Sequence, residues 1–353
     1  MKIEFEGNLY LADERFNIII CNLKPLADCR IDLCLKYSWH ERPYKSFAIF
    51  NVNEAGEVNL GKQKPIKGSY KTIDSMGLFY GLKGDRGTYS KRKKRDFTKE
   101  FIACEFTFRC DSEHEKRFIQ RYFISENIRC KSIYESFRGE YYYHADKGDK
   151  KSIILLGGSE GVINPLLPIA ASLANKGFNV LAVQYFNPFQ DNVNEENVIL
   201  PKKIECIPVE YINNAVDWLI KKNPFNEVSM IGSSKGAELA LLVASVNKNI
   251  KQLVAISPSA YVFEGVNSLQ SSWSLKSYPV PFIPYLPFIN ILDLIKNYIF
   301  SILQIPQGYI LSYELSRLLC FDKKKARIKV ENINGDVCIM AGGKIRCGTV
   351  LVR

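Results

Sequence analysis

Val228-Ser229-Met230-Ile231-Gly232-Ser233-Ser234-Lys235-Gly236-Ala237-Glu238-Leu239-Ala240-Leu241 sets a Gly-x-Ser-x-Gly pattern between an apolar run and an Ala/Leu-rich one. The first run has the length of a strand and the second continues as helix former. The central serine therefore falls on an abrupt strand-to-helix turn, the nucleophile elbow. The glycines have a steric reason. A chain that turns from strand into helix at one residue crowds the positions two before and two after it, so side chains at Gly232 and Gly236 would strike the neighbouring turn. The hydroxyl of Ser234 then stands clear of the sheet, with N–H groups of the helix start behind it. Ser234 is the candidate nucleophile, and the backbone N–H of Lys235 is one candidate oxyanion donor. A glycine-rich turn without catalysis is the competing reading.

Upstream, Ser152–Leu156 is a continuous apolar run ending in Gly157-Gly158-Ser159-Glu160-Gly161. A loop after this earlier strand is where the fold supplies its second oxyanion donor, here an N–H of Ser159 or Glu160. A phosphate-binding loop is the alternative, but neither the Walker nor the Rossmann glycine spacing is present. Helical text near Leu166–Lys176 stops at Gly177, Val180–Val183 reads as a second buried strand, and Tyr211–Lys222 has helical apolar spacing. Val228–Ile231, a helix over Gly236–Ser245 and a strand at Leu253–Ile256 complete an alternation that predicts a mostly parallel sheet with helices on both faces. This α/β unit spans residues 152–353, with an apolar insertion at about 262–327.

Before it, the text is strand-like up to Tyr143. Phe16–Cys21, Ile31–Tyr37, Phe47–Val52, Phe101–Phe108 and Arg121–Ser125 are β-rich runs separated by turn residues. Ile31, Leu33, Leu35 and Tyr37 alternate with more polar neighbours, as one buried face of an antiparallel sheet would. A β-sandwich over residues 1–143 is expected, with an irregular α+β domain as the alternative, and residues 144–151 read as a linker.

Composition narrows the partners. A net charge of +11 favours polyanions, and the densest basic run is Lys91-Arg92-Lys93-Lys94-Arg95, followed by Lys323, Lys324, Lys325 and Arg327. No zinc-finger, RNP or helix-turn-helix pattern accompanies either cluster, so a solvated charged loop is preferred and no nucleic-acid partner is expected. The ten cysteines contain no CxxC pair and the first residues hold no apolar signal-peptide run, which predicts reduced thiols and a cytoplasmic location. Three histidines without ligand spacing predict no metal site. The segment from Pro279 to Ile305 carries Asp293, Lys296 and several prolines, so it reads as an apolar lid or insertion and not as a membrane span.

Gly-Ser-Ser-Lys-Gly-Ala-Glu-Leu-Ala-Leu at 232–241, with Leu-Leu-Gly-Gly-Ser-Glu-Gly upstream and Ser271-Ser272-Trp273-Ser274-Leu275-Lys276 downstream, resembles the acyl-CoA thioesterase and bile acid-CoA:amino acid N-acyltransferase family. The resemblance implies an α/β-hydrolase preceded by an immunoglobulin-like β-sandwich, and acyl-CoA as substrate without a further cofactor. It also implies an elbow nucleophile that is serine in the thioesterases and cysteine in the conjugating enzyme. Ser234 thus favours hydrolysis: the acyl group passes from coenzyme A to the serine and water removes it. A general serine esterase or peptidase, and a non-catalytic acyl-binding protein, are the other functions weighed.

A serine hydroxyl needs a histidine to take its proton and an acid to orient that histidine, in the chain order nucleophile, acid, histidine. His40, His114 and His144 all precede Ser234, so none occupies the base position. Val337-Cys338-Ile339-Met340 reads as the strand leading to the acid, yet Ile345 stands at the acid's place. The message GGN AAA GAT AAG ATG TGG encodes Gly-Lys-Asp-Lys-Met-Trp, and loss of one A yields Gly-Lys-Ile-Arg-Cys-Gly, the text at 343–348. A one-base frameshift after Lys344, with a truncated sheet, poor solubility and no turnover by the chain as written, is therefore the expectation. A divergent natural tail is the alternative.

Overall fold

A computed structural model describes residues 1–40, 42–84, 95–146, 151–160, 163–189, 199–223, 227–266, 268–303 and 308–341, with backbone only at 288–290 and 310–311. The basic residues Lys91–Lys94, residues 147–150 of the linker, Gly161 and the acid position Ile345 lie outside the described residues. The chain forms two units, Met1–Glu126 and Asn127–Arg353.

The first unit holds strands β1 (Lys2–Gly7), β2 (Phe16–Cys21), β3 (Asp28–Tyr37), β4 (Tyr44–Asn51), β5 (Val58–Asn59), β6 (Lys67–Gly68), β7 (Lys83–Gly84), β8 (Phe101–Cys110) and β9 (Glu113–Tyr122), and the short helix α1 (Gly77–Tyr80). They form two antiparallel sheets, β1-β2-β5 and β6-β4-β3-β8-β9, with β7 also on β4. Alternation sets the faces: Cys29, Ile31, Leu33 and Leu35 of β3 point inward while the residues between them do not. Phe5 of β1 meets the Phe106 ring of β8 at 5.9 Å, and Phe16 of β2 meets it at 6.3 Å, so the two sheets share one core. This is the expected sandwich.

Charge hid part of it. β9 reads Glu-His-Glu-Lys-Arg-Phe-Ile-Gln-Arg-Tyr, so the strand expected at Arg121–Ser125 catches only its last residues. Within it Arg121 is buried and donates to the carbonyls of Leu9, Leu11 and Glu14, which is how a guanidinium sits in an apolar core. The expectation of uniformly reduced cysteines also needs correction. Cys29 and Cys110 lie opposite one another on β3 and β8 and are joined by a disulfide. Their 81-residue separation gave no local spacing to read, and only the strand register brings them together.

The second unit holds β10 (Ile128–Tyr134), β11 (Arg138–His144), β12 (Ser152–Leu156), α2 (Leu167–Asn175), β13 (Asn179–Gln184), β14 (Ile207–Pro208), α3 (Val209–Lys222), β15 (Val228–Ser233), α4 (Lys235–Val246), β16 (Ile250–Ile256), β17 (Trp273–Leu275), β18 (Tyr278–Pro279), α5 (Pro287–Ile302), α6 (Ile310–Leu319) and β19 (Asp336–Met340). Seven of the strands form one sheet in the order β10-β11-β13-β12-β15-β16-β19. From β13 to β19 every pairing is parallel, whereas β10 and β11 join antiparallel. This is an α/β-hydrolase sheet. It corrects the expected boundary at Tyr143, because β10 and β11 belong to the sheet and His144 ends a strand instead of opening a linker. A β-rich run looks alike whichever sheet it joins.

Ile154 and Leu156 of β12 share a core with Ala215, Val216 and Leu219 of α3 and Leu239 and Val243 of α4, while α2 packs on β10, β11 and β13. The strand β19 lies parallel beside β16, as Val337–Met340 predicted, with Val337, Ile339 and Met340 exposed on the sheet's edge. The described residues of 262–327 lie outside this sheet. β14, β17 and β18 form a separate three-stranded sheet, and α5 and α6 pack together. Among the described residues no helix is long and apolar enough to cross a membrane.

Candidate active site

Central strand β15 delivers Ser233, and the chain enters α4 at Lys235 with Ser234 between them at φ 52°, ψ −119°. A non-glycine residue in this region is strained and persists only where its surroundings fix it. They do here: the Ser234 N–H donates to the Ile256 carbonyl at 2.9 Å, and the Ser234 carbonyl accepts from Ala237 (2.9 Å) and Glu238 (3.1 Å). The steric reading of the glycines holds. A Cβ on Gly232 would stand 2.3 Å from the Gly236 carbonyl oxygen, and one on Gly236 would stand 2.1 Å from that of Gly157. Ser234 is exposed at the carboxyl end of the parallel strands, where open α/β sheets bind their ligands.

The loop after β12 comes to the same place. A Cβ on Gly158 would lie 3.3 Å from the Ser234 Cβ and 2.7 Å from Glu160 Oε2. The Gly158 N–H donates to Glu160 Oε1 at 3.1 Å, so this amide is already used. Ser159 and Glu160 themselves are exposed. Behind the loop the buried Tyr185 hydroxyl reaches the carbonyls of Gly157 (2.7 Å) and Gly158 (3.0 Å). Burial, then the Glu160 and Glu238 carboxylates, push this phenol well above its ordinary pKa, so it stays a donor. Tyr185 escaped the sequence reading, since an aromatic at a strand end gives no signal of its own. A shallow recess open to solvent adjoins the loop between Gly158, Ile163, Leu166, Val183 and Phe186.

Under Ser234 lies a buried ion pair that was also not anticipated. Lys235 Nζ donates to Glu238 Oε1 (2.9 Å), Ser272 Oγ (2.7 Å) and the Phe263 carbonyl (3.2 Å), and Trp273 Nε1 donates to the same Glu238 oxygen (2.8 Å). Burial draws the lysine below its ordinary pKa and pushes the glutamate above, while their mutual contact opposes both shifts. The signal was present as Lys and Glu three apart inside an Ala/Leu helix. Replacing Lys235 by methionine leaves Glu238 buried without its cation and should cost the hydrolase unit about 3 kcal/mol. Adding Glu238→Leu should recover much of that loss, as urea unfolding of the single and double variants would show.

None of the histidines meets the serine within this unit. His144 pairs with Ile128, beyond Tyr142, which faces Val180 at the start of β13, so it lies at the amino ends of the parallel strands and Ser234 at the carboxyl ends. His40 and His114 belong to the first unit. Among the described residues no cluster of metal-binding side chains is found.

Known proteins share both units. Residues 13–135 match the acyl-CoA thioester hydrolase/BAAT N-terminal region, and residues 207–347 match the BAAT/acyl-CoA thioester hydrolase C-terminal region. The chain belongs to the acyl-CoA thioester hydrolase/BAAT family. It is 31% identical over 260 residues to acyl-coenzyme A amino acid N-acyltransferase 1 of Mus musculus, covering 70% of this chain and 59% of that one. With acyl-coenzyme A thioesterase 2, mitochondrial, of the same species it shares 29% over 225 residues, covering 61% and 47%. The chain thus spans about half to three fifths of the length of these relatives. Among solved structures, a putative dienelactone hydrolase from Klebsiella pneumoniae aligns at TM-score 0.34 and 12% identity over 61% of this chain and 85% of its own. The brefeldin A esterase aligns at TM-score 0.29 and 15% identity over 38% and 41%.

Proposed function

We propose that this family member cleaves acyl-CoA thioesters through an acyl intermediate on Ser234. The observation that carries it is the strained, exposed Ser234 at φ 52° on the turn between β15 and α4, facing the Gly157–Gly158 loop. In this reading the Ser234 oxygen attacks the thioester carbonyl, and the resulting oxyanion is held by the N–H of Lys235 and an N–H from Ser159 or Glu160. Coenzyme A then leaves as the thiol. The Lys235 N–H is available because the first helical amides have no intrahelical acceptor. Water completes hydrolysis. An amino acid's amine completes acyl transfer, the reaction named for the mouse N-acyltransferase that is 31% identical. A serine at the elbow favours water.

The proton acceptor is not supplied by any histidine after Ser234 in these 353 residues. Imidazole added from solution substitutes for it in the test. With imidazole present, the chain should release coenzyme A from an acyl-CoA faster than it releases alcohol from a simple ester of the same acyl group. Equal or reversed preference would instead mark a general esterase. Adding glycine and assaying for an N-acyl product separates transfer from hydrolysis.

A further inference from the structure

Helix α5 is built inside out. In α5 the inward positions, four apart, are Asp293 and Asn297, both buried, while Ile291, Leu294, Ile295, Tyr298 and Ile302 are 52–70% exposed. The polar groups meet the start of α6 and the residue Gly308 before it. Asp293 Oδ2 accepts from the Ser312 N–H (2.7 Å) and hydroxyl (2.6 Å), and Asn297 Oδ1 accepts from the Gly308 N–H (2.9 Å). In water the hydrophobic effect orders a helix the other way, with its apolar stripe inward. A polar seam enclosed by an apolar exterior is the arrangement a hairpin takes in an apolar medium.

The sequence after α6 says which medium. Leu318 and Leu319 are exposed, Phe321 is fully exposed, and five basic residues follow within eight positions: Lys323, Lys324, Lys325, Arg327 and Lys329. Asp322 offsets one of them, paired with Lys325 at 3.2 Å, and Glu331 pairs with Arg327. A second copy of this chain would bring the same positive run against itself, in a protein already at +11. An anionic lipid surface complements both the charge and the apolar exterior.

We propose that the α5–α6 hairpin and the basic run from Lys323 to Lys329 dock this protein in the plane of an anionic membrane. The apolar face of α5 enters the headgroup–acyl boundary, Tyr298 and Phe321 sit at its rim, and the lysines meet lipid phosphates. The 16-residue helix lies on the bilayer without crossing it, in keeping with its length. This surface goes beyond the reaction proposed at Ser234 and stands whether or not that serine is acylated.

Flotation of the full chain with lipid vesicles tests the surface. The chain should float with vesicles rich in phosphatidylserine and remain behind with pure phosphatidylcholine, and high salt should release it. L294E/Y298E should weaken partition roughly tenfold or more. K323Q/K324Q/K325Q should weaken it by roughly a hundredfold, at about a kcal/mol for each lysine. All these side chains are wholly or partly exposed, and matched far-UV circular dichroism checks that the variants fold. Failure of the wild-type chain to float, equal flotation with both lipids, or indifference to L294E/Y298E would overturn the proposal. So would a concentration-dependent dimer that L294E/Y298E dissolves while no vesicle binds.

Discussion

Replacing Gly236 by valine should leave the second unit unable to hold its native fold. A Cβ at this position would stand 2.1 Å from the Gly157 oxygen and 2.5 Å from the Leu156 oxygen, and both obstacles are backbone. Neither swings aside as a flexible side chain does. Relief requires moving the end of β12 or the start of α4, and these meet in the centre of the sheet, where β12 pairs with β15. The loss therefore falls in the exceptional class above about 4–5 kcal/mol. Gly177→Ala supplies the contrast. Gly177 departs from ordinary backbone, at φ +93°, but a Cβ there meets nothing within 4 Å, so its cost is conformational and about 1 kcal/mol. Urea unfolding followed by tryptophan fluorescence discriminates the two, because Trp218 and Trp273 both lie in the second unit. A Gly236→Val chain that unfolds at the wild-type midpoint would mean that the start of α4 and the end of β12 are not packed as described.

How much of this was legible before the structure depended on whether the signal was local. The elbow was, because strand, glycine, serine, glycine and helix follow one another along the chain. The β3 alternation and the buried runs Ser152–Leu156 and Val228–Ile231 were legible for the same reason. β9 was not, because Glu113, Glu115, Lys116 and Arg117 put charge on both faces of a strand at the sheet's end, none of them buried, and such a run reads as loop. The membership of β10 and β11 was not, because a strand's own sequence does not name its neighbours. The Lys235–Glu238 pair is local, but its partners are not: Ser272 meets Lys235 from 37 residues away and Trp273 meets Glu238 from 35. The resemblance drew attention to Ser271–Lys276, but only the fold shows why Ser272 and Trp273 matter: they close the cage around a charge pair beneath the serine.

The reactivity of Ser234 gives the sharper test of the site, since it separates geometry from proton transfer. The elbow presents the hydroxyl and the helix-start amides, but a neutral serine attacks a thioester slowly until a base removes its proton. In the second unit the histidine that is described, His144, stands at the far end of the strands. In buffer alone, a fluorophosphonate should therefore label Ser234 no faster than background, and an acyl-CoA should release thiol no faster than with Ser234→Ala. Free imidazole should change both. A positioned general base is worth roughly 10²–10⁴-fold, and a diffusing one should recover a part of that, about tenfold or more over Ser234→Ala at the same imidazole concentration. Neutral imidazole is the active species, so the gain should grow as pH rises through its titration. Mass spectrometry should place the acyl or phosphonyl group on the peptide carrying Ser234. Labelling at full rate without imidazole would point to an activating group already present beside the serine, and Glu160, whose carboxylate stands next to Gly158, would be the first to exchange for glutamine. No difference between Ser234 and alanine under any condition would leave the elbow as a turn of the chain and nothing more.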